Sequence, residues 1–136
     1  MSLEEKILNS SRTIAVVGLS SKADRPSYKV AGYLKEQGYK IVPVNPTEND
    51  ILGEICHPHL SSIPESVDVV DIFRRAEEVP PIVEEAIRMG AKAVWMQEGV
   101  INEYAANRAR EAGLMVVMDK CMRKEHRKLH GRGDET

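Results

Sequence analysis

The chain has 136 residues, a mass of 15.2 kDa and a formal charge of −2, enough for one domain that buries most of its apolar surface without a disulfide, metal or partner. A pI near 6.1 gives no broad electrostatic footprint for nucleic acid or anionic membrane, and no apolar run approaches the ~20 residues that cross a bilayer. Two cysteines far apart in sequence, Cys56 and Cys121, and no visible secretory leader lead us to expect a cytoplasmic protein with reduced thiols.

The first stretch, Met1 to Arg12, is charged and amphipathic, with Leu3, Ile7 and Leu8 at helical spacing, and reads as a docking helix. Five short runs rich in Val and Ile come next: Thr13 to Gly18, Lys40 to Val44, Val67 to Phe73, Lys92 to Met96 and Leu114 to Met118. Residues apolar in succession, as in Ile14-Ala15-Val16-Val17, suit parallel strands covered on both faces. Asp68 and Asp71 interrupt the third run, so its ends are expected to approach solvent.

Helical patterns separate these runs. Ser27 is placed as the cap of a helix carrying Val30, Ala31 and Leu34, with Gly38 as its left-handed stop. Pro80-Pro81 opens the next helix, whose Val83, Ala86 and Ile87 face the sheet until Gly90. Asn102 caps a third, with Ala105, Ala106, Ala109 and Ala112 inward and Gly113 at its end. The segment from Asn45 to Ser66, punctuated by Pro46, Gly53, Pro58 and Pro64, is irregular, with a short strand around Glu54 to His57. Residues 121–136, with Arg123, Lys124, Arg127, Lys128 and Arg132 following Lys120, read as a solvated basic tail. The expected product is one α/β domain: a doubly wound, mainly parallel sheet of five or six strands with helices on both faces. Its ligand belongs at the carboxyl ends of the strands, where the winding reverses.

In such a fold the residues just beyond each strand carry the functional reading. After the first come Gly18, Ser20, Ser21, Lys22, Arg25 and Ser27, a turn with hydroxyls and cations ahead of a helix N-terminus. It reads either as a phosphate cradle or as an ordinary turn with solvated cations. After the second come Asn45 and Pro46, where an NAD-binding domain places an acid on the ribose hydroxyls. The amide there, and the missing G-x-G-x-x-G glycines, argue against NAD. The third strand leads into Phe73-Arg74, with the phenylalanine either lining a slot or completing the core, and the fourth into Gln97, on the same strand face as Trp95.

Together these strand-end segments resemble the small stand-alone CoA-binding proteins, whose Rossmann-like domain also forms the CoA-binding part of the succinyl-CoA synthetase alpha subunit. The matching segments are Val17-Gly18-Leu19-Ser20 with Arg25-Pro26-Ser27-Tyr28, Tyr39 to Pro46, Val67 to Arg74, Ala91 to Val100 and Ala112 to Cys121, in that order. The resemblance implies a coenzyme A pocket. In it the Gly18 to Ser21 turn holds the diphosphate, Lys22, Arg25 and Ser27 serve phosphate groups, Asn45 and Pro46 border the adenosine, and Phe73, Arg74 and Gln97 approach the pantetheine arm. Leu19 departs from the family's usual Gly-Ala-Ser turn.

The synthetase that shares the domain places a phosphohistidine in a second domain, so the expectation here is CoA or acyl-CoA binding without catalysis. The alternatives are an NAD(P)-binding oxidoreductase and a subunit that presents CoA to a larger enzyme. His57, His59, His126 and His130 fall outside the crevice segments and no metal site is expected, because the groups around Cys56 and Cys121 should lie at opposite edges of the sheet. Cys121 reads as a buried structural thiol or as a partner for the CoA thiol. The reading involves no nucleic acid or membrane, and leaves self-association and an enzyme partner open.

Overall fold

In the computed structural model, which describes residues 1–131, the apolar runs form strands and the glycine-terminated patterns form helices. Helix α1 (Leu3–Ser10) leads to β1 (Thr13–Val17), α2 (Pro26–Glu36) and β2 (Lys40–Val44). A small hairpin, β3 (Asp50–Ile51) and β4 (Glu54–Ile55), precedes β5 (Val69–Ile72), α3 (Val79–Arg88) and β6 (Ala93–Met96). Helix α4 (Glu103–Glu111), β7 (Met115–Val117) and α5 (Met122–Leu129) complete the order.

Five strands pair in the order β2-β1-β5-β6-β7, parallel throughout. The winding reverses between β1 and β5, so the crevice of this Rossmann-like α/β sheet opens over the ends of those two strands. Side-chain alternation sorts the apolar residues into two layers. Val17, Val44, Val70, Ile72 and Met96 pack with α3 and α4 on one face. Ile14, Val16, Ile41, Val69 and Trp95 pack with α1, α2 and α5 on the other.

Several local expectations need correction. The extra strand does not join the main sheet: β4 pairs antiparallel with β3, and His57 makes only an isolated bridge to Val44. Ser27 does not cap α2. Pro26 occupies the first turn, Arg25 stands at the cap position, and Ser27 lies inside the helix, 5% exposed. Proline suits that position because its missing N–H would have had no helical partner. Ala112 is exposed beyond the end of α4, whereas Ala105, Ala106 and Ala109 are buried as expected. Asn102 does cap α4, accepting the Ala105 N–H at 2.9 Å.

The basic stretch after Lys120 is not a solvated tail in its first half. It forms α5, which buries Met122 and His126 one turn apart, the imidazole receiving Tyr33 and Tyr39 edge-on. Arg132 lies outside the described residues.

The two acids of the third run behave oppositely. Asp68 is half-buried; burial pushes its carboxyl up, but the Arg12 and Thr13 N–H groups and the Lys92 ammonium outweigh that and hold it below its usual range. Asp71, expected near solvent, is 0% exposed at the middle of the sheet, between Val16 and Trp95 in register. Among the described residues neither carboxyl oxygen has a hydrogen-bond partner, and burial raises its pKa well above the ordinary value. The folded state thus prefers the neutral acid. Its stabilising contribution is complete below the carboxyl's unfolded pKa and is lost as pH rises toward the folded value.

Denaturant melts of the wild type should therefore show stability falling as pH rises from the unfolded carboxylate range, with a limiting slope for one proton of about 1.4 kcal/mol per pH unit. Asp71→Asn, which cannot ionise, should flatten that slope and be the more stable protein at neutral pH. Parallel pH profiles for the two proteins would refute the assignment.

Candidate functional site

Backbone hydrogen bonds carry the sheet past its last paired residues. Gly18 N–H donates to Val44 at 2.9 Å, Phe73 N–H to Val17 at 2.9 Å and Gln97 N–H to Ile72 at 3.3 Å. These bonds align the chain segments leaving β1, β5 and β6 around one opening. The cleft above them encloses about 910 Å³, within the usual range for a small-molecule site.

Gly18 is the tightest point of this arrangement. Its φ is +85°, a region that costs a side chain, and a Cβ there would sit 2.4 Å from the Phe73 carbonyl oxygen and 2.9 Å from Arg74 Cδ. The close approach at this glycine is thus to its own chain at the end of β5, although Gly18 also lines the cleft.

The turn after Gly18 is closed by its own hydrogen bonds. Ser20 N–H donates to Ser27 Oγ at 3.0 Å, and Lys22 N–H donates to Ser20 Oγ at 3.1 Å. Each hydroxyl keeps its own proton to donate. Ser21, Lys22 and Arg25 are exposed outside the cleft lining, whereas Asp24, Pro26 and Lys29 from the same region line it. Among the described residues no side chain caps α2 and no acid occupies its first turn, so the positive end of the helix faces the opening with Asp24 just ahead of it.

Asn45 explains why the position after β2 holds an amide. Its Nδ2 donates to the Leu19 carbonyl at 2.9 Å, while Oδ1 accepts from Thr47 N–H at 2.9 Å and Thr47 Oγ1 at 2.8 Å. An acid could supply the second function but not the first. Pro46 faces a neighbouring recess of about 440 Å³, walled by Pro58, Pro81 and Ile82. Arg74 and Glu78 border both cavities.

Phe73 packs on the α2 and α5 face and also lines the cleft. Arg74 lines it with its guanidinium held by Glu78, which Arg75 also engages at 3.1 Å. These two cations hold the Glu78 carboxyl below its ordinary range. Gln97, 4% exposed, turns Oε1 toward the Met122 N–H at 3.2 Å and so fixes the first turn of α5 at the cleft wall. Cys121 is 6% exposed and still borders the cleft.

Of the sequence-derived site residues, Gly18, Asn45, Phe73, Arg74 and Gln97 meet at this cleft, while Ser20, Ser21, Lys22, Arg25, Ser27 and Pro46 do not line it. Sequence reasoning missed Lys29, Glu78, Arg123 and Lys124. The signal for the last two was the apolar spacing of Met122, His126 and Leu129, which marks an amphipathic helix inside the basic stretch. With Glu78 on Arg74 and Glu98 on Lys124 at 3.0 Å, Lys29 and Arg123 outnumber the remaining acid of the lining, Asp24. The cleft favours an anion. None of the four histidines borders it, although His59 borders the proline recess.

A family model described as a CoA binding domain matches residues 12–127. YneT of Bacillus subtilis, described as uncharacterized, is 40% identical over 122 residues, which is 90% of either chain. Acetate–CoA ligase [ADP-forming] II of Archaeoglobus fulgidus is 35% identical over 95 residues, 68% of this chain but 14% of the ligase. A solved structure of a hypothetical protein from Pyrococcus horikoshii OT3 superposes with a TM-score of 0.92 at 40% identity, covering 96% of this chain and 94% of that one.

Asn45→Asp should destabilise the chain by about 1–3 kcal/mol, since the Leu19 carbonyl loses its donor and faces an acceptor. Urea melts measure this. An unchanged midpoint would mean that the amide does not hold the turn.

Proposed function

The chain belongs to the CoA binding domain family, and on that premise we propose that it binds coenzyme A or an acyl-CoA in the strand-end cleft without a reaction of its own. The observation that carries this reading is the cleft itself: an opening at the switch point lined by a surplus of cations together with the apolar side chains of Phe73 and Val100. That pairing suits a ligand with a phosphate-rich end and a largely apolar arm.

In this proposal the diphosphate lies over the Gly18 to Ser21 turn at the open end of α2. Lys29 meets it from the lining, the Ser27 hydroxyl stands beneath, and Lys22 and Arg25 reach in from the rim. The adenine enters the recess walled by Pro46, Pro58 and Pro81, bordered by the turn that Asn45 holds. The pantetheine arm runs past Phe73, Arg74 and Gln97 toward Cys121. Arg74 turns from Glu78 to the ligand on binding, so the carboxylate keeps the guanidinium in place until then. A second reading, a domain that presents CoA to a separate enzyme, is favoured by the occurrence of a similar region within the Archaeoglobus fulgidus ligase.

Calorimetry with CoA, acetyl-CoA, ATP, NAD and NADP tests the proposal. Saturable binding is expected for the two CoA species and weaker or no binding for the others. Arg74→Ala should weaken CoA binding roughly 10- to 150-fold, the worth of one charge-assisted hydrogen bond. Absence of saturable CoA binding at millimolar ligand would overturn the proposal, and a preference for NAD or NADP would restore the dinucleotide alternative. Recovery of a tagged chain with one stoichiometric enzyme would support the presenting role.

A further inference from the structure

A second cavity, of about 820 Å³, lies between α2, the β3–β4 hairpin and α5, and the CoA reading makes no use of it. Its floor is Gly32, inside α2, with Tyr28 and Tyr33 of the same helix beside it. A glycine in a helix interior is destabilising relative to alanine, and nothing local demands one here. The nearest atom a Cβ would meet is Leu52 Cδ2 at 3.9 Å, an ordinary contact, and the residue has no positive φ. The missing side chain leaves the groove open down to the backbone.

The walls are basic. Lys29, Lys35, Arg123 and Arg127 line the groove against one acid, Glu36. Lys35 is engaged by Glu54 at 3.0 Å and by the Leu52 carbonyl, and the Arg127 guanidinium lies 5.3 Å from the centre of the Tyr33 ring. Arg123 differs from these. Its Nε is shut off from water and has no hydrogen-bond partner among the described residues, a state that penalises the protein. A guanidinium donates in a fixed fork that matches phosphate oxygens.

We propose that this groove is a phosphate-monoester site, in which Arg123 and Lys29 hold the phosphate and the rest of the molecule lies on Gly32 beside Tyr28 and Tyr33. The monoester has two sources. One is a separate phosphorylated small molecule. The other is the 3′-phosphate of CoA, which rests on CoA binding in the cleft but needs the adenosine turned toward Lys29 and Arg123, the two cations that line both cavities, instead of into the proline recess.

Amide NMR of the full chain, titrated separately with AMP, CoA and dephospho-CoA, tests the site and distinguishes the sources. Saturable shifts at the Tyr28, Gly32 and Tyr33 amides with AMP support a separate ligand. Shifts with CoA, absent with dephospho-CoA and AMP, support the 3′-phosphate. Arg123→Gln should weaken whichever response appears by at least about tenfold, the loss of one charge-assisted hydrogen bond. Gly32→Leu should abolish it while raising the melting temperature, because leucine fills the groove and is the better helix former. No shift at these amides with millimolar AMP or CoA, or shifts that survive in Gly32→Leu, would overturn the site. Failure of the CoA reading is seen separately, as unmoved Gly18 and Gln97 amides on addition of CoA.

Discussion

The approach of the Phe73 carbonyl to Gly18 at the switch point is the constraint on which the rest of the site depends. A methyl group at Gly18 would overlap that oxygen at 2.4 Å, so the two central strand ends sit this close only with glycine between them. Gly18 N–H reaches back to Val44 and Phe73 N–H to Val17, so one residue on either side of the contact is bonded to the neighbouring strand. The cleft is therefore an extension of the sheet. Its floor inherits the rigidity of the parallel ladder instead of the mobility of loops.

Hydrogen bonds between loops then fix what the sheet leaves free. Asn45 ties the turn after β1 to the segment after β2, Gln97 ties the segment after β6 to α5, and Asp119 accepts the Gly99 N–H at 2.7 Å across the same wall. Each bond joins segments far apart in sequence. The cations divide accordingly: Arg74 is held by Glu78 and Lys124 by Glu98, while Arg123 carries a buried Nε with no acceptor among the described residues. The first two are poised groups, and the third is, with Asp71, a place where the described residues leave a buried polar atom unsatisfied. Because Lys29 and Arg123 border both cavities, charge arriving in one is felt in the other.

Much of the fold was legible from the chain alone because its signals are local. Successive Val and Ile residues marked strands covered on both faces, and Gly38, Gly90 and Gly113, all with positive φ, marked the helix stops. Asp71 shows the limit of such reading. An acid in an apolar run looks like a strand end approaching water, yet here it sits at full burial, because burial is set by the neighbouring strands and the helices above them. The stretch from Cys121 to Leu129 misled in the opposite direction. Its charges suggested solvent, while the spacing of Met122, His126 and Leu129 placed a helix on the α1 and α2 face. Ser27 was rightly singled out as a hydroxyl near the turn but wrongly made a cap, since Pro26 occupies the first turn of the helix.

By itself the sequence determined the strand and helix series, the parallel α/β class and the strand-end residues Gly18, Asn45, Phe73, Arg74 and Gln97 that meet at the cleft. Those arise from period, turn chemistry and chain order, which act between near neighbours. Only the tertiary structure decided that Gly18 accommodates its own chain, that Asn45 is an internal tie, that Ser20 and Ser27 bond to the turn they belong to, and that α5 brings Arg123 and Lys124 to the wall. These are contacts between segments tens of residues apart or between side chains and a folded-back loop. Their energies depend on distances that no local pattern encodes.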